Sequence, residues 1–152
     1  FQPPVMATLC VPAMKEFHTS EIKIIRGYVP GSLGRYNESR DGFWTVLANG
    51  RVEGSITIDG IHARSEGAHL RWFIMSVSLR GKGAGNQLIN TAISFCRSKG
   101  YKKIYLWTFE GLTPAKHLYE KGGFRLVEER RGTRWGTEVI EQRFECSSTA
   151  LV

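Results

Sequence analysis

The sequence predicts one mixed α/β (α+β) domain with a mostly antiparallel central sheet, and three observations lead to that prediction. The chain has 152 residues, a length that usually forms one domain and can bury its own core. Apolar runs of strand length alternate with two helical patterns, in the order β-β-β-β-α-β-α-β-β. Hydrophobic residues make up 41% and charged residues 23% of the chain, which excludes a disordered, collagen-like or coiled-coil protein.

Four strands are predicted before the first helix. Residues 1–20 contain prolines and have no clear period, so we interpret them as a tail or linker. Asn49-Gly50 is a strong two-residue turn between the second and third strands. The fourth strand has the apolar middle that is expected at the centre of a sheet. The predicted strands cover residues 21–29, 43–48, 52–59 and 68–78.

Helices and strands alternate in the second half of the chain. A glycine-rich turn at 80–85 precedes a helix with regularly spaced apolar residues that ends at Lys99-Gly100. Thr113-Pro114 begins a second helix, because threonine caps helices and proline fits their first turn. The remaining predicted elements are strands at 103–109, 124–131 and 138–145 and a tail at 146–152.

The turn at 80–85 (RGKGAG) has the features of a phosphate-binding site. Backbone N–H groups at a helix start have no partner within the helix, and the helix dipole adds positive charge. Glycines let the backbone approach a bulky anion, and Arg80 and Lys82 add cations at the rim. A plain strand-to-helix turn is the alternative for so short a glycine motif.

Two spaced motifs together indicate a family. Arg80, Gly83 and Gly85 fit Q/R-x-x-G-x-G/A. Ala115, Leu118, Tyr119, Gly123 and Phe124 complete A-x-x-L-Y-x-x-x-G-F. In this order and spacing, residues 21–145 resemble the GNAT superfamily of acyl-CoA-dependent N-acyltransferases. Phrases such as LYEKGGFRLVEE and WGTEVIEQRFE resemble the acetyltransferase half of bacterial proteins that fuse a MarR-type winged helix to a GNAT domain.

The resemblance implies a fold, a cofactor and an activity. The sheet should be splayed between the fourth and fifth predicted strands and flanked by helices, and the activity should be acetyl transfer from acetyl-CoA to a primary amine. The pantetheine arm should pair with the backbone of Phe73, Ile74 and Met75. Tyr119 should be the general acid, since a phenol is protonated at neutral pH. The backbone amides implied to hold the pyrophosphate are those of Gly81, Lys82, Gly83, Ala84, Gly85 and Asn86.

The general base does not follow from the resemblance. Leu112 and Trp107 stand where many family members have asparagine and glutamate. Glu110 is the nearest carboxylate in the loop and is therefore the candidate base. Weaker candidates, for which a solvated surface role is favoured, are His62, His69, Glu53 and Asp59. Trp135 lies in a turn, where a role at the acceptor site and simple packing are nearly even alternatives, whereas Trp72 and Trp107 on strands favour core packing.

The net charge and the cysteine content indicate which binding partners and which cellular compartment to expect. The net charge of +7 suits a polyphosphate cofactor, and the absence of a nucleic-acid motif makes direct nucleic-acid binding the weaker interpretation. Three scattered cysteines favour the cytoplasm, and no apolar run reaches membrane-span length. No metal-ligand spacing occurs in the sequence. A homodimer and a MarR-type partner domain stay open, as does a non-catalytic acyl-CoA-binding module of such a regulator.

The connection between the first two predicted strands is short for the family. GNAT domains place two helices there, and these need on the order of 25–30 residues. Residues 30–42 cannot supply them. We therefore expect that a helical segment is missing near Arg35–Tyr36.

Overall fold

The computed structural model describes residues 6–9, 22–27, 36–133 and 136–148. Within them lie eight strands and two α-helices. The strands are β1 (Met6–Leu9), β2 (Ile22–Arg26), β3 (Gly42–Ala48), β4 (Arg51–Asp59), β5 (Ala68–Ser76), β6 (Lys103–Phe109), β7 (Arg125–Gly132) and β8 (Val139–Ser147). The helices are α1 (Ala84–Ser98) and α2 (Thr113–Lys121).

The predicted elements appear in the structure with small shifts at their ends. Strand 103–109 has its predicted bounds, and the other predicted strands and helices differ by a few residues at one or both ends. Such shifts are usual, because helix and strand ends fray. Two elements are unpredicted: a 3-10 helical turn at Val77–Leu79, which replaces the end of predicted strand 68–78, and β1, which lies inside the segment that the sequence predicted as a tail or linker. The division into a tail, a domain at 21–145 and a second tail stays a prediction.

The sheet is mixed and splayed, as predicted. Its order is β2-β3-β4-β5-β6-β8-β7, with β1 attached to β5. Adjacent strands along this path pair antiparallel, except β5 and β6, which pair parallel only at Ala68↔Ile104 and His69↔Tyr105. Beyond Tyr105, β6 follows β8 and β5 follows β4, so the two central strands separate. This separation, which we call the splay, confirms the predicted fold class.

Both helices lie against each other on one face of the sheet. A methyl group added at Gly85 of α1 would lie 2.9 Å from Leu118 Cδ1 of α2, and one added at Gly122 would lie 2.8 Å from Ile89 Cγ2. The core forms between these helices and the sheet, because the strands place alternate side chains on that face. Its largest fully buried members include Tyr119, Phe73, Phe144, Ile56, Ile58 and Leu70.

The opposite face of the sheet carries polar and aromatic side chains. Arg71 donates to Asp59 at 2.8 Å, and the His69 ring stacks on Tyr105 with centroids 4.5 Å apart. The predicted core packing of Trp72 and Trp107 is wrong, because both are only partly buried. Trp107 lies under the Arg130 guanidinium at 4.1 Å from its ring centroid. A tryptophan on a strand can cover the open face of a sheet as well as its core face.

Hydrogen bonds to Asp41 stabilise the short connection before β3. Its buried carboxylate accepts hydrogen bonds from the backbone N–H groups of Asn37 (2.9 Å) and Gly60 (2.7 Å) and from Arg40 Nε (3.0 Å). The turn that precedes β3 is thereby joined to the end of β4. Arg35 lies outside the described residues, so the missing-segment hypothesis stays a prediction. Among the described residues between β2 and β3, none is helical.

Within the described ranges, neither helix has the length and apolar character needed to cross a membrane.

Candidate functional site

The glycine-rich turn forms an open backbone surface at the start of α1. Gly81 and Gly83 have φ of +78° and +79°, a region that favours glycine. A methyl group added at either would meet no atom within 4 Å, so the turn faces open space. The first bond within the helix runs from Gln87 N–H to Gly83 O at 3.1 Å, so the amides of Ala84, Gly85 and Asn86 have no acceptor within the helix, whereas the Lys82 N–H already donates to Leu79 O at 3.2 Å. No acidic residue occupies the first turn of α1.

A groove runs from this turn between α1, α2 and the end of β5. Its cavity has a volume of about 500 Å³. Arg80 contributes charge at the turn, and Lys121 and His117 contribute polar side chains from α2. Such a groove, with a cationic turn at one end and apolar walls, can hold an elongated anion. The residues that line it are Met75, Ser76, Leu79, Arg80, Gly81, Gly83, Gly85, Asn86, Pro114, His117, Leu118 and Lys121.

Tyr119 lies at the junction of the separated strands. It is fully buried, and its ring centroid lies 6.0 Å from that of Phe73 on β5 and 5.9 Å from that of Phe144 on β8. Its hydroxyl has no hydrogen-bond partner among the described residues. Desolvation by burial raises the pKa of Tyr119, so the phenol keeps its proton throughout the neutral range. Tyr119 is therefore a protonated phenol inside an aromatic cluster.

The edge of β5 that does not pair with β4 pairs with β1, which the sequence did not predict. β1 pairs parallel with β5 in the register Met6↔Phe73, Ala7↔Ile74, Thr8↔Met75 and Leu9↔Ser76. The prediction for this edge was an extended cofactor arm on the backbone of the same three residues, Phe73, Ile74 and Met75. The structure shows that the edge accepts an extended chain, and that in this state the chain is the protein's own.

A bulge in β5 shapes the splay. Trp72 has φ of +54°, and the β4–β5 register shifts between Ser55 and Thr57. The displaced Trp72 carbonyl accepts a hydrogen bond from Ser55 Oγ at 3.0 Å. Bulges often lie beside active sites, where they redirect a strand. No sequence signal predicted this one, since a tryptophan at positive φ is rare.

The other sequence candidates are scattered. Glu110 is exposed in the turn after β6, and its backbone N–H donates to Ile140 O at 2.8 Å. Trp135 lies outside the described residues. Glu53 is buried and lies 3.7 Å from Arg51 Nε. Within the described ranges, no group of histidine, cysteine and acidic side chains could hold a metal ion.

A second cavity, of about 250 Å³, gathers the remaining candidates at the closed end of the splay. It contains Asp59, His62 and His69 together with Arg71 and Tyr105. The Asp59 carboxylate is engaged by Arg71 at 2.8 Å. This pairing makes Asp59 a structural anion, and the cavity lies at the opposite end of β5 from the glycine-rich turn.

Comparisons with known proteins agree with the motifs. The model of the acetyltransferase (GNAT) family matches residues 11–124. An uncharacterized N-acetyltransferase of Methanocaldococcus jannaschii is 30% identical over 97 residues, which are 60% of this chain and 42% of that protein. An uncharacterized N-acetyltransferase of Escherichia coli, YjgM, is 30% identical over 98 residues, which are 64% of this chain and 59% of that protein. The chain thus spans about half the length of these curated relatives.

The fold likewise has solved counterparts. A GNAT family acetyltransferase from Elizabethkingia anophelis, solved with acetyl-CoA bound, superimposes with a TM-score of 0.63 at 17% identity. The match covers 84% of this chain and 99% of that one. At this identity the likeness concerns the fold alone.

Proposed function

This chain belongs to the acetyltransferase (GNAT) family, and from that premise we propose that it moves an acetyl group from acetyl-CoA directly to a primary amine of a small molecule or protein. One observation carries the proposal. The Tyr119 hydroxyl is fully buried without a partner among the described residues, its ring lies beside that of Phe73, and its neighbour on α2, Leu118, lines the groove that begins at the cationic glycine-rich turn. A buried hydroxyl costs stability when it has no partner, so its place at a splay is best explained by a bound reactant.

The groove has the features that coenzyme A requires. The backbone amides of Gly81 and of residues 83–86, with the side chains of Arg80 and Lys82, suit its phosphates. The Lys82 amide, which the sequence also predicted there, already donates to Leu79 O. The edge of β5 suits its extended, amide-containing arm, since it already accepts β1 as an added strand. When bound, acetyl-CoA would supply an acetyl group activated as a thioester. The chain's own residues would position that group against the amine, and positioning alone can contribute a large share of the rate.

Tyr119 is the proposed general acid. Its raised pKa keeps the phenol protonated before reaction, so it would hydrogen-bond to the sulfur as the C–S bond breaks. The leaving thiolate would take that proton, and the proton lost by the attacking amine would restore the phenol through solvent. Glu110 is the proposed base for the amine, and its exposed place after β6 would let the proton pass to solvent. Trp135 remains the proposed acceptor-site residue.

An assay of thioester consumption tests this function. Acetyl-CoA is offered with a panel of polyamines, amino acids and lysine peptides, and free thiol is measured against time. We expect thiol release that depends on one class of amine. Tight acetyl-CoA binding without amine-dependent release would instead favour the alternative, a non-catalytic acyl-CoA-binding module of a MarR-type regulator. We propose separately that the protein forms a homodimer, and a measurement of its molecular mass in solution would test this.

Because β1 and the cofactor arm need the same edge of β5, cofactor binding is expected to displace β1. The double variant Ala7→Pro/Thr8→Pro removes two backbone donors and disfavours the ladder. We expect its Kd for acetyl-CoA, measured by titration calorimetry, to fall by about 3- to 10-fold, the value of a net hydrogen bond. The control ligand is 3′,5′-ADP, which lacks the arm and should bind unchanged. An equal change for both ligands would show that β1 does not compete for the edge.

A further inference from the structure

A second buried hydroxyl lies on the β6 wall of the splay. Thr108 is only 6% exposed, and its Oγ1 has no hydrogen-bond partner among the described residues. It follows Tyr105, the last residue of β6 that pairs with β5, by three positions. Thr108 therefore belongs to the part of β6 that has separated from β5.

The register of the sheet places Thr108 on the same face as Tyr119. Side chains alternate along a strand, so Thr108 shares a face with Leu106, which is in the core between the sheet and the helices. Leu106 pairs with Phe144, and the Tyr119 ring lies 5.9 Å from the Phe144 ring. The Thr108–Gln142 pair is thus two residues further toward the open end of the splay than the Leu106–Phe144 pair, whose phenylalanine Tyr119 contacts.

Among the described strands, no neighbour provides a hydrogen-bond partner for the Thr108 hydroxyl. Its partner across the strands is Gln142, whose side-chain Nε2 donates to Glu129 Oε2 at 2.9 Å. A buried hydroxyl without a partner is unfavourable, and valine would fill nearly the same volume without that cost. Thr108 and Tyr119 each carry such a hydroxyl, and both lie near the separation of β5 from β6.

We infer that Thr108 is a positioning residue that donates a hydrogen bond from Oγ1 to a carbonyl oxygen of the acyl-pantetheine arm. This inference rests on the proposed function. The bond would fix the arm against β6 while Tyr119 holds the proton for the sulfur. Thr108 takes no part in bond making or breaking, so its effect is on binding and on alignment. Neither motif that identified the family includes this residue.

The test compares Thr108→Val with Thr108→Ser in the full chain. Valine removes the hydroxyl and keeps the shape, so the Tm of the ligand-free protein should stay level or rise, while the Kd for acetyl-CoA rises by about 10-fold. Serine keeps the hydroxyl and loses a methyl group, so the Tm should fall while the Kd stays within about 2-fold. A purely structural role would move stability and binding in the same direction.

The affinity for free coenzyme A distinguishes the two possible acceptors of the Thr108 hydrogen bond, which are an amide carbonyl of the arm and the thioester carbonyl. If Thr108→Val weakens acetyl-CoA and coenzyme A equally, an amide of the arm accepts the bond, and if it weakens acetyl-CoA alone, the thioester accepts it. Either result supports the role. Wild-type affinity of Thr108→Val for both ligands would overturn it while leaving the proposed function intact. A wild-type chain that binds neither ligand would overturn the proposed function and this role with it.

Discussion

Replacing Tyr119 by phenylalanine is expected to lower kcat by about 100-fold or more, the usual contribution of a general acid. The ring stays, so its contacts with Phe73, Phe124 and Phe144 are kept. The lost hydroxyl has no partner among the described residues, so the free energy of unfolding should not fall. Steady-state kinetics, acetyl-CoA titration and thermal unfolding measure the three quantities.

Tyr101→Phe is the matched control for Tyr119→Phe. The Tyr101 hydroxyl donates to Arg40 O at 2.7 Å, away from the groove. Its loss should cost about 1 kcal/mol of stability and leave kcat unchanged. Tyr119→Phe should therefore lower kcat and keep the stability, whereas Tyr101→Phe should lower the stability and keep kcat. A Tyr119→Phe enzyme with wild-type kcat would end the general-acid proposal.

The pH dependence of kcat gives a further check on Tyr119. Desolvation raises the pKa of its hydroxyl above the ordinary value of about 10. The phenol then stays protonated from neutral pH to at least pH 10, so it contributes no limb to the profile there. Tyr119→Phe should lower the whole profile without changing its shape.

Replacing Asp41 by alanine is expected to have the largest effect on stability. The change leaves the buried Gly60 N–H without its 2.7 Å acceptor and removes both contacts to Arg40. Breaking a buried, hydrogen-bonded charge costs about 3–5 kcal/mol, which corresponds to a drop in Tm of about 10 °C for a domain of this size. Calorimetric unfolding measures it.

The exposed residue Glu38 in the same turn supplies the control for Asp41. Its backbone carbonyl accepts from Arg26 at 2.8 Å, and alanine keeps that carbonyl. Glu38→Ala should therefore change the free energy of unfolding by less than about 0.5 kcal/mol. A similar loss in both variants would mean that the turn, and not the Asp41 carboxylate, is the source of stability.

The contribution of Asp41 should also depend on pH. Burial alone would raise the pKa of this carboxyl, but hydrogen bonds from Arg40, Asn37 and Gly60, and the charge of Arg40, outweigh burial and lower it. A lowered pKa stabilises the fold fully above the unfolded value of about 3.9, and the effect is lost as pH falls through the folded pKa. The stability gap between wild type and Asp41→Ala should be constant at neutral pH and narrow below about pH 4.

The sequence predicted the elements of this fold because their signals are local. Asn49-Gly50 predicted the β3–β4 hairpin, and Thr113-Pro114 predicted the start of α2. The predicted capping role of Thr113 is wrong, because the helix begins at Thr113 itself and its N-cap is Leu112, with no side-chain cap bond. The glycine-rich turn was predicted with them, and Gly81 and Gly83 do adopt positive φ. β1 was missed because its partner strand lies more than sixty residues away in the chain. A four-residue strand with so distant a partner has no periodicity of its own to detect.

For this protein, the sequence by itself determined the family, the order of elements and the two motifs that mark the groove. Only the tertiary structure decided which hydroxyls are buried without partners, since burial depends on residues distant in sequence. Thr108 looks like any strand threonine until the structure shows that it is buried without a partner among the described residues, on the part of β6 that has separated from β5. Occupation of the β5 edge by β1 was likewise decided by long-range strand pairing, because an unpaired strand edge accepts whichever extended chain reaches it.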